Sequence, residues 1–407
     1  MKVAFFLRHG GSIGTVTDEL AQGLVSHGCQ VTIYSQQAKC DCRPGIHYKR
    51  ITPSLTDLRL ERLTGFLGYA GDAHLLPLIK RTRHPFFGSR FFLRTYARQV
   101  GKDLKTEKPD VVHVHSFTQF IPVVRARCPQ AKIVLHMHDT SLSFLNRTMI
   151  ERRLGDTDLI VGVSEYLTDT IRRRFPQFSR RCQTVYNGTR TLPAAKTLRK
   201  DNQTVLFVGR ISPEKGIHVL LDAFKEVVRH CPQAQLKIVG PFGVLPMVWM
   251  YAITEAPATA SLARYYRLNY FALLKSKISG ELRNHVTFTG WVSEQQLHQI
   301  YSSADILVLP SVYNEPFGLV LTDGMAYGLP VVATRGGGVP EIVVDGKTGL
   351  LVNNDDSSQL AAAISQLLTD NKLRTDMGQA ARERAKLFTW NRASERMFGL
   401  YEEIQAV

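Results

Sequence analysis

The chain has 407 residues, a length that one hydrophobic core rarely fills, so two domains are expected. Its 44% hydrophobic and 21% charged residues are typical of a globular protein, and the absence of any apolar run of about 18 residues argues against a membrane-spanning helix. The formal net charge of +16 indicates an anionic partner, such as a membrane surface, a nucleic acid or a small anion.

The amino terminus, MKVAFFLRHGG, contains only a short apolar stretch, which predicts a first buried strand rather than a secretory signal. The six cysteines are scattered, and Cys40 and Cys42 form a lone Cys-x-Cys without a second pair. Free thiols without an export signal predict a cytoplasmic protein.

The amino-terminal half alternates short apolar runs with helical patterns. The predicted strands are residues 2–7, 30–34, 110–113, 132–135 and 158–163, and the predicted helices are residues 16–26, 91–104 and 165–174. Strands that alternate with helices predict parallel βαβ units and an α/β domain.

Glycines follow the first predicted strand in the run HGGSIG, residues 9–14. Gly10 and Gly11 at a strand-to-helix turn would let the backbone approach a ligand closely, although a tight turn alone explains them equally well. Their spacing matches neither a P-loop nor the dinucleotide fingerprint, which argues against an NAD-dependent dehydrogenase.

The segment 79–108 is strongly basic, with nine Lys or Arg against two acids and with aromatic residues between them. Arg90, Arg94 and Arg98 recur every four residues beside Phe91 and Phe92. On one helix this pattern predicts contact with an anionic membrane surface. The alternative is a solvated basic face whose aromatic residues pack inward. No known nucleic-acid-binding module is apparent, so nucleic acid is not an expected partner.

Two His-x-His runs end predicted strands, DVVHVHS with His113 and His115, and VLHMHDT with His136 and His138. A single histidine at a strand end is usually structural, which is the interpretation for His136.

Residues 189–202 are polar and lack periodicity, which predicts a linker. A second α/β series follows, so the chain contains two similar doubly wound halves. Its predicted strands are residues 204–208, 235–239, 286–289, 306–309 and 330–333, and its predicted helices are residues 218–228, 295–301, 319–325, 358–368, 373–387 and 390–404. An apolar insertion at 242–253 is too short to span a bilayer and is predicted to line a cleft or to pack on the core.

The run VLFVGRISPEKG places Arg210 and Lys215 just after the first strand of this second half. Two cations at the carboxyl end of a parallel strand can bind a diphosphate. The alternative is a pair of solvated loop residues with Glu214 as an ordinary partner.

The run EPFGLVLTD places Glu315 and Asp323 on either side of a predicted helix start. First-turn amides have no acceptor within their own helix, and the positive end of the helix dipole favours phosphate. Carboxylates beside such a start suit sugar hydroxyls, so this stretch predicts a sugar-nucleotide site.

These motifs, taken in order, resemble those of glycosyltransferase family 4, whose members are retaining enzymes with the GT-B fold. The resemblance covers essentially the whole chain and rests on the Gly-Gly loop, GRISPEKG, the acid pair with its continuation AYGLPVVAT, and GGGVPEIVVDGKTGLLV. It implies two Rossmann-like doubly wound domains that face a central cleft. The implied parts are an acceptor domain at 1–188, the linker at 189–202, a donor domain at 203–388, and a final helix at 389–407 that packs back on the first domain.

The resemblance also implies roles for single residues. Arg210 and Lys215 would bind the donor diphosphate, and Glu315 would contact hydroxyls of the donor sugar. Asp323 would hold the ribose, but the family has a longer Glu there, which leaves that contact in doubt. His138 would hydrogen-bond the donor sugar and orient it, with His115 as a weaker candidate. Further donor contacts are implied for Gly10, Gly11 and the amides of Phe317, Gly318, Leu319 and Val320.

The expected activity is metal-independent transfer of a hexosyl group, with retention, from a nucleotide diphosphate sugar to a glycan or glycolipid. His138, Arg210, Lys215 and Glu315 would act in catalysis, and no cofactor is expected. UDP-glucose and UDP-N-acetylglucosamine are favoured donors, and bacterial lipopolysaccharide or cell-surface polysaccharide synthesis at the inner face of the cytoplasmic membrane is the favoured setting. A sugar-nucleotide epimerase and a non-catalytic nucleotide-sugar-binding protein are the alternatives.

Overall fold

A computed structural model describes residues 1–8, 11–36, 42–60, 62, 86–189, 203–244, 250, 256–266, 268–278 and 280–406. The chain divides into two compact units, the first comprising Met1–Gly188, Pro246–Thr254 and Trp390–Val407, and the second comprising Thr189–Leu245 and Glu255–Thr389. Gly10, residues 79–85, most of the predicted linker and most of the apolar insertion lie outside the described residues.

The first unit is built on a parallel sheet, which has seven strands in the described part of the chain. The strands are β1 (Lys2–Phe6), β2 (Gln30–Ser35), β3 (Ile46–Arg50), β4 (Val111–His115), β5 (Lys132–Met137), β6 (Leu159–Gly162) and β7 (Cys182–Thr184). Their order is β3-β2-β1-β4-β5-β6-β7, so the strand order reverses between β1 and β4. The central strands are buried on both faces, which explains their nearly continuous apolar sequences.

The helices of the amino-terminal part of this unit connect the strands. They are α1 (Gly11–Ser26), α2 (Arg94–Glu107), α3 (Ile121–Arg127), α4 (Ser141–Phe144), α5 (Arg147–Gly155) and α6 (Glu165–Arg174). The helix α1 begins five residues before its predicted start, so Gly11 is the first residue of the helix rather than part of a longer loop.

The second unit has its own parallel sheet, with six strands among the described residues. The strands are β8 (Thr204–Val208), β9 (Gln235–Val239), β10 (Val286–Gly290), β11 (Ile306–Leu309), β12 (Val331–Thr334) and β13 (Gly349–Val352). Their order is β10-β9-β8-β11-β12-β13, and the strand order reverses between β8 and β11.

One or two helices follow most strands of this unit. They are α7 (Ile217–His230), α8 (Ala256–Tyr266), α9 (Tyr270–Lys277), α10 (Glu294–Ser303), α11 (Leu319–Ala326), α12 (Val339–Ile342), α13 (Ser357–Thr369) and α14 (Asn371–Ala385). The apolar side of α7 is buried, with Leu220, Leu221 and Phe224 in the core.

The final helix, α15 (Trp390–Gln405), belongs to the first unit and packs against α1. Gly23 in α1 permits this close approach, because a Cβ atom at that position would lie 2.2 Å from the hydroxyl oxygen of Ser394. Tyr401 of α15 is fully buried over the sheet. No helix of the described residues has the length and apolar character needed to cross a bilayer.

The described part of the segment between β9 and β10 includes α8 and α9, which contact the turn at Pro213–Lys215 and α7, respectively. Residues 245–249 and 251–253 of the apolar stretch lie outside the described residues, so its predicted placement, along a cleft or on the core, stays a prediction.

Candidate functional site

The second unit brings three predicted residues to the switch point of its sheet, where the strand order reverses between β8 and β11. Arg210 and Lys215 follow β8, and Glu315 follows β11. Because β8 and β11 are adjacent and parallel, both loops leave the same edge of the sheet. In open α/β sheets, ligands bind outside the carboxyl ends of the strands at such a point. The topology therefore makes this edge the candidate ligand site.

Lys215 and Glu315 form a largely buried ion pair. The Nζ atom of Lys215 lies 2.5 Å from Oε1 of Glu315. Ser311 donates to Oε1 at 2.5 Å, and Tyr313 donates to Oε2 at 2.8 Å. Burial would raise the pKa of Glu315, but Lys215 and the two hydroxyls hold that pKa below its ordinary value. Glu315 is therefore a fixed carboxylate that can still accept a hydrogen bond from a ligand hydroxyl.

Arg210 is held by a second buried carboxylate, Glu214. Its Nη2 atom donates to Oε1 of Glu214 at 2.6 Å, and Ser212 donates to the same oxygen at 2.7 Å. Tyr266, at the end of α8, donates to the other oxygen of Glu214 at 3.1 Å. Burial would lower the pKa of Arg210, but Glu214 outweighs that effect and raises it. The charge and the direction of the guanidinium are thus fixed before any ligand binds.

Both cations keep hydrogen-bond donors for a ligand. Lysine has three N–H donors, and Lys215 directs two of them toward Glu315 and, at 3.3 Å, toward Tyr313, so the third has no acceptor among the described residues. Arg210 donates from Nη2 and, at 3.4 Å, from Nε to Ser212, so Nη1 has no acceptor among the residues that the structure describes. Two cations with unused donors at one strand end suit a diphosphate.

Two glycines allow the surrounding loops to approach this edge. Gly216 has a φ of +70°, and a Cβ atom there would lie 1.9 Å from the carbonyl oxygen of Pro310. Gly337 has a φ of +61°, and its Cβ atom would lie 2.0 Å from the carbonyl oxygen of Glu315. The loop that contains Gly336, Gly337 and Gly338 therefore packs on the backbone of Glu315.

The helix α11 begins beside Glu315, one residue after a glycine with a φ of +96°. Leu319 and Val320 lie in its first turn, where amides have no acceptor within the helix. Asp323 lies one turn further along and accepts a hydrogen bond from the Thr189 hydroxyl at 2.7 Å. The predicted ribose contact of Asp323 stays a prediction, as do the amide contacts from Phe317 to Val320.

The first unit places four histidines together at the end of β4 and β5. The strand β4 continues two residues beyond its predicted end, so His113 and His115 both lie in it and share one face. His115 is paired in register with His136 of β5, and His138 follows that strand. His113, His115 and His136 are almost fully buried, and His138 is partly buried.

Hydrogen bonds divide these histidines into two chains. Tyr401 is 2.5 Å from Nδ1 of His113, whose Nε2 is 3.1 Å from Nδ1 of His136. Separately, Nδ1 of His115 is 2.7 Å from Nε2 of His138. The first hydrogen-bonded series ends inside the protein, because Nε2 of His136 is buried and has no hydrogen-bond partner among the described residues.

Burial keeps all four imidazoles neutral. It lowers the pKa of His113, His115 and His136 well below the ordinary value and that of His138 to about 3. Nitrogens of His113, His115 and His136 lie within 4.8 Å of one another, close enough to approach one cation. The cluster itself was not predicted from the two His-x-His runs. The prediction of a metal-free protein stays a prediction.

The basic segment differs from the predicted amphipathic helix. Leu93 precedes the helix in a left-handed conformation, so α2 starts at Arg94 and Arg90 lies outside it. Phe92 and Tyr96 pack into the core, whereas Phe91 is 45% exposed. The prediction that Arg90, Phe91 and Arg94 lie on one helix is therefore wrong, and the inward-packing alternative holds for Phe92 and Tyr96. Positive charge remains on the surface at Arg90, Arg94, Arg98, Lys102 and Lys105.

Comparisons with known proteins agree with this architecture. A sequence model described as "Glycosyl transferases group 1" matches residues 189–384, and one described as "Glycosyltransferase Family 4" matches residues 10–191. Spore coat protein SA of Bacillus subtilis (strain 168) is 27% identical over 328 residues, which cover 76% of this chain and 82% of that protein.

Two solved structures share the fold across nearly their whole length. Sucrose-phosphate synthase from Thermosynechococcus elongatus is 21% identical, with a TM-score of 0.74 and coverage of 100% of this chain and 99% of that one. HepE from Anabaena, solved in complex with UDP and glucose, is 18% identical, with a TM-score of 0.71 and coverage of 99% and 100%.

Proposed function

Because the chain belongs to glycosyltransferase family 4 and has the GT-B fold, we propose that it transfers a hexosyl group from a UDP-sugar to a glycan or glycolipid hydroxyl, with retention at the anomeric carbon. UDP-glucose and UDP-N-acetylglucosamine are the proposed donors. The choice of UDP is supported by HepE, which was solved with UDP and glucose.

The placement of Arg210 and Lys215 at the switch point is the observation that carries this proposal. Each cation is paired with a buried carboxylate and has one donor without an acceptor in the part of the chain that the structure describes. A diphosphate would accept those hydrogen bonds, and its charge would grow as the sugar departs. Glu315, held by Lys215, Ser311 and Tyr313, would accept hydrogen bonds from sugar hydroxyls.

The reaction would then depend on positioning and charge stabilisation. The bond between the anomeric carbon and the diphosphate oxygen breaks, and the acceptor hydroxyl forms the new glycosidic bond on the same face. The departing phosphate oxygen takes the proton of the acceptor hydroxyl, so no separate side-chain base is needed. Arg210, Lys215 and the first-turn amides of α11 would stabilise the negative charge on the leaving group. His138 would orient the sugar.

Substitution of each cation tests this proposal. Arg210→Ala and Lys215→Ala should each lower turnover by about 10²–10³-fold, the size of effect seen when one preorganised donor to developing charge is removed. Arg229→Ala is a matched control, because Arg229 lies in the same unit and pairs with Glu281 at the surface, where both side chains are more than half exposed. Circular dichroism checks that each variant is folded. Full turnover in both cation variants would contradict the assignment.

The same assay separates the alternatives. UDP release that requires an acceptor supports transfer, whereas conversion of a UDP-sugar without an acceptor would identify an epimerase. A protein that binds UDP but turns over no mixture of donor and acceptor would be a binding protein. The anomeric configuration of the product, determined by NMR, decides between retention and inversion.

The proposed acceptor lies at the cytoplasmic face of a membrane, as a lipopolysaccharide or polysaccharide intermediate would. The support is the exposed basic surface of residues 90–105, where Phe91 lies beneath the guanidinium groups of Arg90 and Arg94 at 5.0 and 5.6 Å. Flotation with vesicles that contain anionic lipid should capture the protein at low salt and release it at high salt.

Charge reversal locates the membrane contact. The double substitution Arg94→Glu and Arg98→Glu should abolish capture. Lys372→Glu with Lys386→Glu makes the same change in net charge on exposed residues of the second unit and should leave capture largely intact. Equal loss in both variants would show that net charge, not this surface, determines binding.

A further inference from the structure

One of the two histidine chains leads from the helix α1 to His138. The hydroxyl oxygen of Thr17 is 3.2 Å from Nε2 of His115, and Nδ1 of His115 is 2.7 Å from Nε2 of His138. Thr17 and His115 are 1% and 0% exposed, respectively. Water therefore has little access to the hydrogen bond between Thr17 and His115, and the surrounding protein determines which atoms carry the protons.

The direction of the first hydrogen bond follows from Thr17. Its hydroxyl donates to the carbonyl oxygen of Ile13 at 2.8 Å, one turn earlier in α1. A hydroxyl has a single hydrogen, so the Thr17 oxygen can only accept from His115. The Nε2 atom of His115 must therefore carry a proton.

The second hydrogen bond follows from the charge of His115. This imidazole is neutral, because burial and the neighbouring histidines lower its pKa well below the ordinary value. A neutral imidazole has one proton, so Nδ1 of His115 is an acceptor. The Nε2 atom of His138 consequently donates, and a neutral His138 then has an unprotonated Nδ1.

We propose that Thr17 and His115 are positioning residues that hold His138 in the tautomer with its proton on Nε2, so that its Nδ1 accepts a hydrogen bond from a hydroxyl of the donor sugar. This inference rests on the proposed function for its sugar contact. No residue in the described part of the chain donates to Nδ1 of His138. The opposite tautomer would present a donor and would favour a ligand group that can only accept.

The other histidine chain provides an internal control. His136 and His138 have ring centroids only 4.3 Å apart, but the hydrogen bonds of His136 lead to His113 and Tyr401 instead. Tyr401→Phe and Thr17→Val each remove one buried hydroxyl that is bonded to a histidine. Only Thr17→Val interrupts the chain that reaches His138.

The tautomer can be read directly from the full-length protein labelled with ¹⁵N-histidine. Two-bond ¹H–¹⁵N correlations distinguish a protonated Nε2 from a protonated Nδ1, and His138→Gln assigns the signal. We expect protonated Nε2 at His138 in the native protein, in Thr17→Ser and in Tyr401→Phe. Thr17→Val removes the acceptor for His115 and should move the His138 proton toward Nδ1. Protonated Nδ1 in the native protein, or an unchanged signal in Thr17→Val, would overturn the assignment.

Kinetics test the sugar contact separately. Thr17→Val should lower kcat with a UDP-sugar by about three- to tenfold, the effect of one hydrogen bond, while the affinity for UDP, which lacks the sugar, stays unchanged. Thr17→Ser should restore kcat, and Tyr401→Phe should not lower it in the same way. If Thr17→Val shifts the tautomer of His138 but keeps the native kcat, the proposed hydrogen bond between His138 and the sugar is wrong. If the native protein neither binds UDP nor turns over a UDP-sugar, the proposed function itself fails, while the NMR result still decides the tautomer.

Discussion

In both units the candidate residues lie at the carboxyl ends of parallel strands. They are charged in the second unit and neutral in the first. In the second unit, Arg210 and Lys215 are charged and paired with the buried carboxylates of Glu214 and Glu315. In the first unit, burial keeps His115 and its neighbours neutral, and they interact through directed hydrogen bonds.

This difference would suit the two kinds of ligand group in the proposed donor. A diphosphate needs fixed positive charge, and a buried carboxylate behind each cation holds that charge in place without filling all its donors. An uncharged sugar hydroxyl needs an acceptor or donor of defined direction, which a neutral imidazole with a fixed tautomer provides.

The largest expected effect concerns the Lys215–Glu315 pair. Lys215→Met leaves Glu315 buried without its cation, so the free energy of unfolding should fall by about 3–5 kcal/mol, and turnover should fall by about 10²–10³-fold. Adding Glu315→Gln removes the unpaired charge and should recover most of the stability but none of the turnover. Urea denaturation and UDP release measure the two quantities. Recovery of both together would show that the pair serves only stability.

The second prediction concerns the pH dependence of the first unit. The pKa of each of the four histidines is lowered in the folded state, so the unfolded chain binds more protons below about pH 6.5. Stability should therefore be complete above that pH and fall as the solution becomes more acidic, for His138 down to a pH of about 3. Each neutral histidine contributes about 1.4 kcal/mol per pH unit to this slope.

Removal of one imidazole isolates this contribution. His136→Phe should reduce the slope of stability against pH by about one proton, measured by hydrogen exchange in urea for peptides of β4 and β5. An unchanged slope would mean that His136 titrates alike in the folded and unfolded states, contrary to a buried neutral face.

The smallest expected effect concerns Tyr266, which donates to Glu214 and so acts on Arg210 indirectly. Tyr266→Phe should lower stability by about 1.5 kcal/mol, the typical loss of a hydrogen bond to a charged group, and raise KM for the UDP-sugar a few-fold. Tyr265→Phe is the control, because its hydroxyl contacts the exposed Arg264 on the same helix. Equal effects on KM in the two variants would show that Tyr266 does not act on the binding site through Glu214.

Much of the fold was predictable because the central strands are apolar runs that follow one another in a βαβ alternation. The missed strands lie at the sheet edges: β3 has the alternating sequence IHYKR, and β7 and β13 contain three and four residues. The partly polar sequences of β3 and β7 lack a strong apolar pattern, whereas β13 has the apolar sequence GLLV but only four residues, so pairing with a neighbour defines all three. The early start of α1 was missed because its first turn contains glycines and a serine.

The candidate site was predictable in its members but not in its connections. GRISPEKG and EPFGLVLTD contain Lys215 and Glu315, but they are 100 positions apart, and only the order of the sheet shows that they touch. Ser311 and Tyr313 alternate with Glu315 in the sequence, a spacing of two that could have indicated a shared side in an extended segment. The two His-x-His runs carried the same signal for the histidine cluster.

Calorimetric titration with uridine and UDP isolates the contribution of the diphosphate to binding, because the two ligands differ only in that group. We expect UDP to bind the native protein far more tightly than uridine does, and we expect the double substitution Arg210→Gln and Lys215→Met to remove most of that difference. The weak binding of uridine should stay unchanged in the variant. An undiminished preference for UDP in the variant would contradict the assignment of Arg210 and Lys215 to the diphosphate.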